Sequence, residues 1–143
     1  MIVYKLVKYS YISNLYRSLT LSAISVLTLE YNVGEVTKAL PNTIGIATFD
    51  SIVNAKEYLR THSPDNVFLF EAKPLSKPRK NKLILTWGND RENHCILNSF
   101  FKSRSKKGFD TEEAPQGTAF YSKILITKNL GNVVKIFPQL YRY

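Results

Sequence analysis

The chain has one cysteine, Cys95, and two histidines, His62 and His94. A single thiol excludes an internal disulfide, and so few thiolates and imidazoles exclude a structural zinc cluster. No apolar run approaches the ~18 to 20 residues that a membrane-spanning helix needs. The opening MIVYKLVKYSY alternates polar and apolar residues, where a signal peptide needs a continuous apolar stretch. These absences lead to the expectation of a soluble, cytoplasmic protein in a reducing compartment, without a membrane partner, metal or cofactor. The phosphate-binding glycine loops, the nucleophile elbow and the H-E-x-x-H zinc motif are missing too. Binding is therefore expected here rather than classical catalysis.

Apolar surface is plentiful. Of 143 residues, 44% are hydrophobic and 13% aromatic. A chain of this size can bury roughly 70% of its unfolded surface, enough for one domain over residues 1–143. Charge is unevenly spread. The formal net charge is +9, from 20 Lys plus Arg against 11 Asp plus Glu. Lys73, Lys77, Arg79, Lys80 and Lys82 form one acid-free segment, and Lys102, Arg104, Lys106 and Lys107 form another. Together they carry the whole excess, so the rest of the chain is formally neutral.

The β-branched and aromatic run IVYKLVKY at 2–9 reads as a strand. Residues 14–31 read as one or two strands, although a helix over 18–29 also fits their spacing. Residues 43–49 (TIGIATF) are a buried strand, with Gly45 and Ala47 on one side marking close approach of another backbone. A helix follows over 51–61, capped by Asp50 or Ser51. Its apolar stripe is Ile52, Ala55, Tyr58 and Leu59. Residues 66–72 are a strand. Pro74 and Pro78 make 73–81 an exposed loop, and 82–87 resume a strand. A second helix is expected from Asn89 to about residue 102, followed by a polar loop over 103–117. Residues 118–128 and 132–137 read as a hairpin about Asn129–Gly131. The sum is an α+β single domain, with a mostly antiparallel sheet of six to eight strands and two helices.

Chemically, the densest stretch is 86–95, with Asp90, Arg91, Glu92, His94 and Cys95. A Cys–His pair can activate a thiolate. Adjacent helical residues point about 100° apart, however, which sends Cys95 to the core and His94 to solvent. His62 at a helix end and Glu112 with Glu113 in a loop read as ordinary terminal and solvating residues.

The segments L-x-Y-x-V-G-E at 29–35, G-I-A-T-F-D-S-I-V-N-A-K-E-Y-L at 45–59 and A-P-Q-G-T at 114–118 are similar to those of small α+β domains in phages and mobile elements. That resemblance implies a fold and no activity. The layout also resembles, more distantly, the ADP-ribosyltransferase fold. There Arg17 would take the role of the first-strand Arg, and Ser51 that of the middle-strand Ser. A late-strand Glu has no counterpart on either final strand.

The leading expectation is a basic binding module that contacts nucleic acid or another polyanion. Its phosphate contacts would come from Lys73, Lys77, Arg79, Lys80, Lys82, Lys102, Arg104, Lys106 and Lys107. The alternatives are a nucleotide-binding enzyme using Arg17 and Ser51, and a protein-interaction module or homodimer using aromatics such as Tyr141 and Tyr143.

Overall fold

The computed structural model describes residues 1–19, 29–40, 45–62, 65–79, 83–85 and 111–141. The first strand, β1 (Val3–Ser10), shows how its residues choose faces. Side chains alternate across a strand. Val3 and Val7 enter one apolar cluster and Leu6 enters another on the opposite face. β1 therefore lies between two cores, which its mixed sequence had obscured.

β2 (Leu15–Ser18) folds back on β1, pairing Tyr9 with Tyr16 and Val7 with Ser18. β3 (Val36–Lys38) and β4 (Ile46–Phe49) follow. Next come helix α1 (Ile52–Thr61) and β5 (Val67–Pro74). β6 (Leu83–Leu85) pairs with β7 (Thr111–Glu113) in a separate two-stranded ribbon. The chain then runs through β8 (Thr118–Tyr121), β9 (Lys123–Asn132), helix α2 (Val133–Ile136) and a 3-10 turn at Pro138–Tyr141. The main sheet has the order β3-β9-β5-β1-β4-β8, with β2 on β1, and every pairing is antiparallel. The α+β class stands, and the main sheet has seven strands, within the six to eight expected, beside the separate two-stranded ribbon.

The order imposes a shape. β8 and β9 are separated by Ser122 alone, yet β5, β1 and β4 lie between them in the sheet. Four strand spacings of about 4.8 Å would put them roughly 19 Å apart in a flat sheet. One residue cannot span that distance, so the sheet must roll up. A second contact across the inside agrees. The Asn129 amide donates to the Tyr16 hydroxyl at 3.3 Å, although β9 and β2 are separated by β5 and β1. Tyr31, Phe70, Ile124 and Ile126 fill the inner face. α1, α2 and the 3-10 turn cover Leu6, Val67 and Leu69 on the outer face through Ala55, Leu59, Val133 and Phe137.

Ser51 is the cap of α1, and its hydroxyl accepts from the Asn54 N–H at 3.1 Å. Ala55 and Leu59 of the expected stripe are buried, whereas Ile52 is exposed. Four expectations are corrected. Asn129–Gly131 is not a hairpin turn but an irregular part of one long strand. β9 stays paired with β5 across it through two register shifts. The Asn129 side chain accepts from the Gly131 N–H at 2.9 Å, and Gly131 takes φ +116°. This absorbs an extra residue without ending the ladder. Residues 133–136 are helical rather than extended because the Asn132 side chain accepts from the Val134 N–H and caps them. Lys73 and Pro74 belong to β5, and Glu112 and Glu113 to β7, where loops were expected. Pro74 closes its strand, where a missing N–H is tolerated. The expected helix over 89–102 and most of the 18–29 alternative lie outside the described residues.

Gly45 is the tightest point of the β4–β8 pairing. It takes φ +103°, and a Cβ there would lie 2.8 Å from the Tyr121 carbonyl oxygen. Gly45→Ala should therefore destabilise the fold by about 2 kcal/mol or more, against about 1 kcal/mol for loss of the cap in Ser51→Ala. Urea unfolding of both variants checks the ranking. Equal losses, or a neutral Gly45→Ala, would contradict the close approach.

Candidate polyanion-binding face

Rolling the sheet brings the start of β9 to a junction where several strands end. The Ser122 carbonyl accepts from the Ala39 N–H at 2.8 Å, just after β3. Its own N–H donates to the Ser76 hydroxyl at 3.0 Å. The Leu75 N–H reaches the Lys123 carbonyl at 3.0 Å, and the Arg79 N–H reaches that of Phe120 at 2.8 Å. The segment after β5 thus crosses against the β8–β9 junction and is held on both sides of Ser122.

This network gathers cations from distant parts of the sequence. Lys38 and Lys123 are direct cross-strand partners in the β3–β9 ladder. Lys73 pairs with Leu125, two residues further along β9. Partners in an antiparallel pair point to the same side, and Ile124 and Ile126 occupy the inner face. Lys38, Lys73 and Lys123 therefore share the outer face, and all three are exposed. Lys77 is exposed in the crossing segment between Ser76 and Arg79. Glu71 is the nearest acid along β5. It is paired with Lys128 in register, and the Thr127 hydroxyl donates to its carboxylate at 3.2 Å.

Like charges directly opposite on a sheet destabilise it. The two ion pairs found among the described residues are Arg17–Glu30 at 3.6 Å and Arg60–Glu57 at 3.2 Å. Neither includes the lysines of this corner. The corner thus brings cations together, none of them in an ion pair among the described residues.

Of the nine cations expected from sequence, Lys73 and Lys77 join this corner, and Arg79 lies further along the crossing segment, against β8. Lys80, Lys82, Lys102, Arg104, Lys106 and Lys107 lie outside the described residues. Lys38 and Lys123 were missed because each is a lone lysine in an alternating strand. Only the tertiary register makes them partners. Arg17 and Ser51 do not converge. Arg17 lies opposite Lys8, whereas Ser51 follows Phe49, the partner of Tyr4. Four residues of strand span about 13 Å. Arg17 pairs with Glu30, and the Ser51 hydroxyl caps α1. The resembling segments 45–59 and 114–118 do meet, since the Asp50 N–H donates to the Gly117 carbonyl at 2.9 Å.

A second cation is placed very differently. Lys5 lies in phase with Val3 and Val7 on the inner face, directly opposite Phe70. It is buried, with its ammonium 5.3 Å from the centre of the Tyr31 ring. Desolvation by burial lowers its pKa from 10.5 to about 8. Burial also pushes the Tyr31 phenol well up, partly offset by its hydrogen bond with Ser18. The ring face attracts a cation but does not replace the lost hydration.

No group of three or more His, Cys, Asp or Glu among the described residues could hold a metal ion. No described helix is long and apolar enough to cross a membrane. No protein-family model, curated protein or solved structure matches the chain.

Lys5 makes a signed prediction. The unfolded chain keeps this proton up to the ordinary value of 10.5, whereas the fold releases it near pH 8. Between those values unfolding takes up a proton, so stability rises with pH. The penalty is fully present below pH 8. At 1.36 kcal/mol per unit it amounts to about 3 kcal/mol. Lys5→Met should be more stable than the wild type at pH 7, and the gap should close toward pH 10. Urea titrations at several pH values check this. A destabilised Lys5→Met, or a gap that does not change with pH, would contradict the burial.

Proposed function

We propose that this protein is a polyanion-binding module whose contact face is the lysine corner around Ser122. The observation that carries this reading is the direct opposition of Lys38 and Lys123, with Lys73 on the same face and Lys77 beside them. An anion placed between such cations relieves their repulsion and gains charge-assisted hydrogen bonds. A phosphate chain also releases condensed counterions, which makes the affinity depend strongly on salt. The lysines grip a backbone and read no base sequence. Nucleic acid is the leading polyanion, in keeping with the formal charge of +9.

The test is a salt titration of binding to a DNA duplex, by gel shift or anisotropy, for the wild type and for Lys38→Gln/Lys73→Gln/Lys123→Gln. The variant should bind more weakly. Its log–log salt slope should be shallower by about 0.9 for each phosphate that is no longer neutralised. Exposed lysine-to-glutamine changes leave the fold intact, which an unchanged melting temperature verifies. No wild-type binding at low salt, or binding and slope untouched by the triple substitution, would refute the reading.

A further inference from the structure

We propose that Lys5 is a covalent binding site for small apolar aldehydes, held as an imine (Schiff base) on the inner face of the rolled sheet. The site is independent of the lysine corner, which lies on the outer face. Lys5 is the only charged residue that is buried among the described residues. It is in direct register with Phe70 of β5. On its other side Thr48 is buried next to the Phe49 that pairs with Tyr4. Val3 and Val7 flank it along β1. Its ammonium lies 5.3 Å from the centre of the Tyr31 ring. The residue is enclosed but not sealed, with 9% of its surface exposed.

The surroundings offer the ammonium a ring face rather than an acceptor. It makes no hydrogen bond and no ion pair among the described residues. The Thr48 hydroxyl donates to the Ala119 carbonyl at 3.0 Å, and the Tyr31 phenol is bonded to Ser18. The titratable side chains of the surrounding cluster are phenols, those of Tyr16, Tyr31 and Tyr121. The acids next in sequence to Tyr31, Phe49 and Phe70 are engaged elsewhere. Glu30 pairs with Arg17, Asp50 accepts from the Asn54 amide, and Glu71 accepts from the Thr127 hydroxyl. A lysine held against apolar surface gives up its proton more readily and becomes a nucleophile at neutral pH. With the Lys5 pKa lowered to about 8, about a tenth of the amine is free at pH 7, roughly 300-fold more than for an ordinary lysine.

The product decides the ligand class. An acyl donor would leave an amide, whose N–H and carbonyl would both need partners inside apolar surface. An imine nitrogen has no N–H to satisfy. In the reaction the free amine adds to the aldehyde carbonyl, and one amine proton passes to the alkoxide oxygen. The second amine proton then leaves with the hydroxyl as water, and the C=N bond remains. No oxidant or reductant is consumed, and a neutral group replaces a buried charge. The aliphatic and aromatic lining favours an apolar substituent on the aldehyde over an anionic one.

The experiment treats the protein at pH 7 with butanal and cyanoborohydride, which reduces an imine to a stable secondary amine. Fragment-ion mass spectrometry locates the adducts. The Met1 α-amine reacts as well and is resolved from Lys5 by the fragment ions. Lys8, exposed on the same strand, is the internal reference. Lys5 should be labelled more than about tenfold faster than Lys8, and the preference should vanish in urea. Glyoxylate, an anionic aldehyde, should show a smaller preference for Lys5 than butanal does. Without reductant, butanal should raise the melting temperature of the wild type and leave that of Lys5→Met unchanged. Lys5 labelled no faster than Lys8, or a preference that persists in urea, would overturn the site. A melting shift shared by both proteins, or absent from both, would overturn it too.

Discussion

Everything distinctive about this protein follows from one connection. Ser122 joins β8 to β9, two strands that lie near opposite ends of the same sheet. A chain cannot cross a flat sheet in a single residue, so the sheet closes upon itself. Closure creates an inside, filled by Tyr31, Phe70, Ile124 and Ile126, and an outside, on which α1 and α2 pack. Each strand of the middle is therefore buried on both faces for part of its length. Closure also satisfies the junction, because the Ser122 N–H and carbonyl are both hydrogen-bonded by neighbouring segments.

The same connection sorts the charges. Lys38, Lys73, Lys77 and Lys123 come from separate stretches of sequence, yet all lie around the segments that meet Ser122. Lys38, Lys73 and Lys123 share an exposed face, so they remain hydrated. Lys5 meets the opposite fate, because its position in phase with Val3 and Val7 sends it inward. Its ammonium is then stabilised mainly by the Tyr31 ring. One lysine is buried at a cost while its neighbour Lys8 is exposed, from residues only three positions apart. The alternation of the strand decides between them, not the residue type.

The sequence made local structure legible where short-range rules apply. The capped helix after Phe49, the strand through Val67–Pro74 and the close approach at Gly45 follow from capping, apolar spacing and glycine placement. It misled where a local signal was overridden by pairing. Asn129–Gly131 has turn chemistry, but the ladder with β5 runs through it as irregular strand. Val133–Ile136 has strand-like composition, but Asn132 caps a helix there. The candidate site was only partly legible. Clustered lysines such as Lys73 and Lys77 stand out in a charge count. Lys38 and Lys123 do not, since their adjacency exists only once β3 pairs with β9.

The central claim is that the Ser122 junction presents a polyanion-binding corner. Amide hydrogen exchange, with and without a saturating polyanion at low salt, tests it most directly. Protection is predicted to rise along Val36–Lys38, at the end of β5 and in the crossing segment, and at the start of β9. The exposed face of α1 should be unaffected. Protection confined to α1 or to the C-terminal turn, or no change anywhere, would contradict the account.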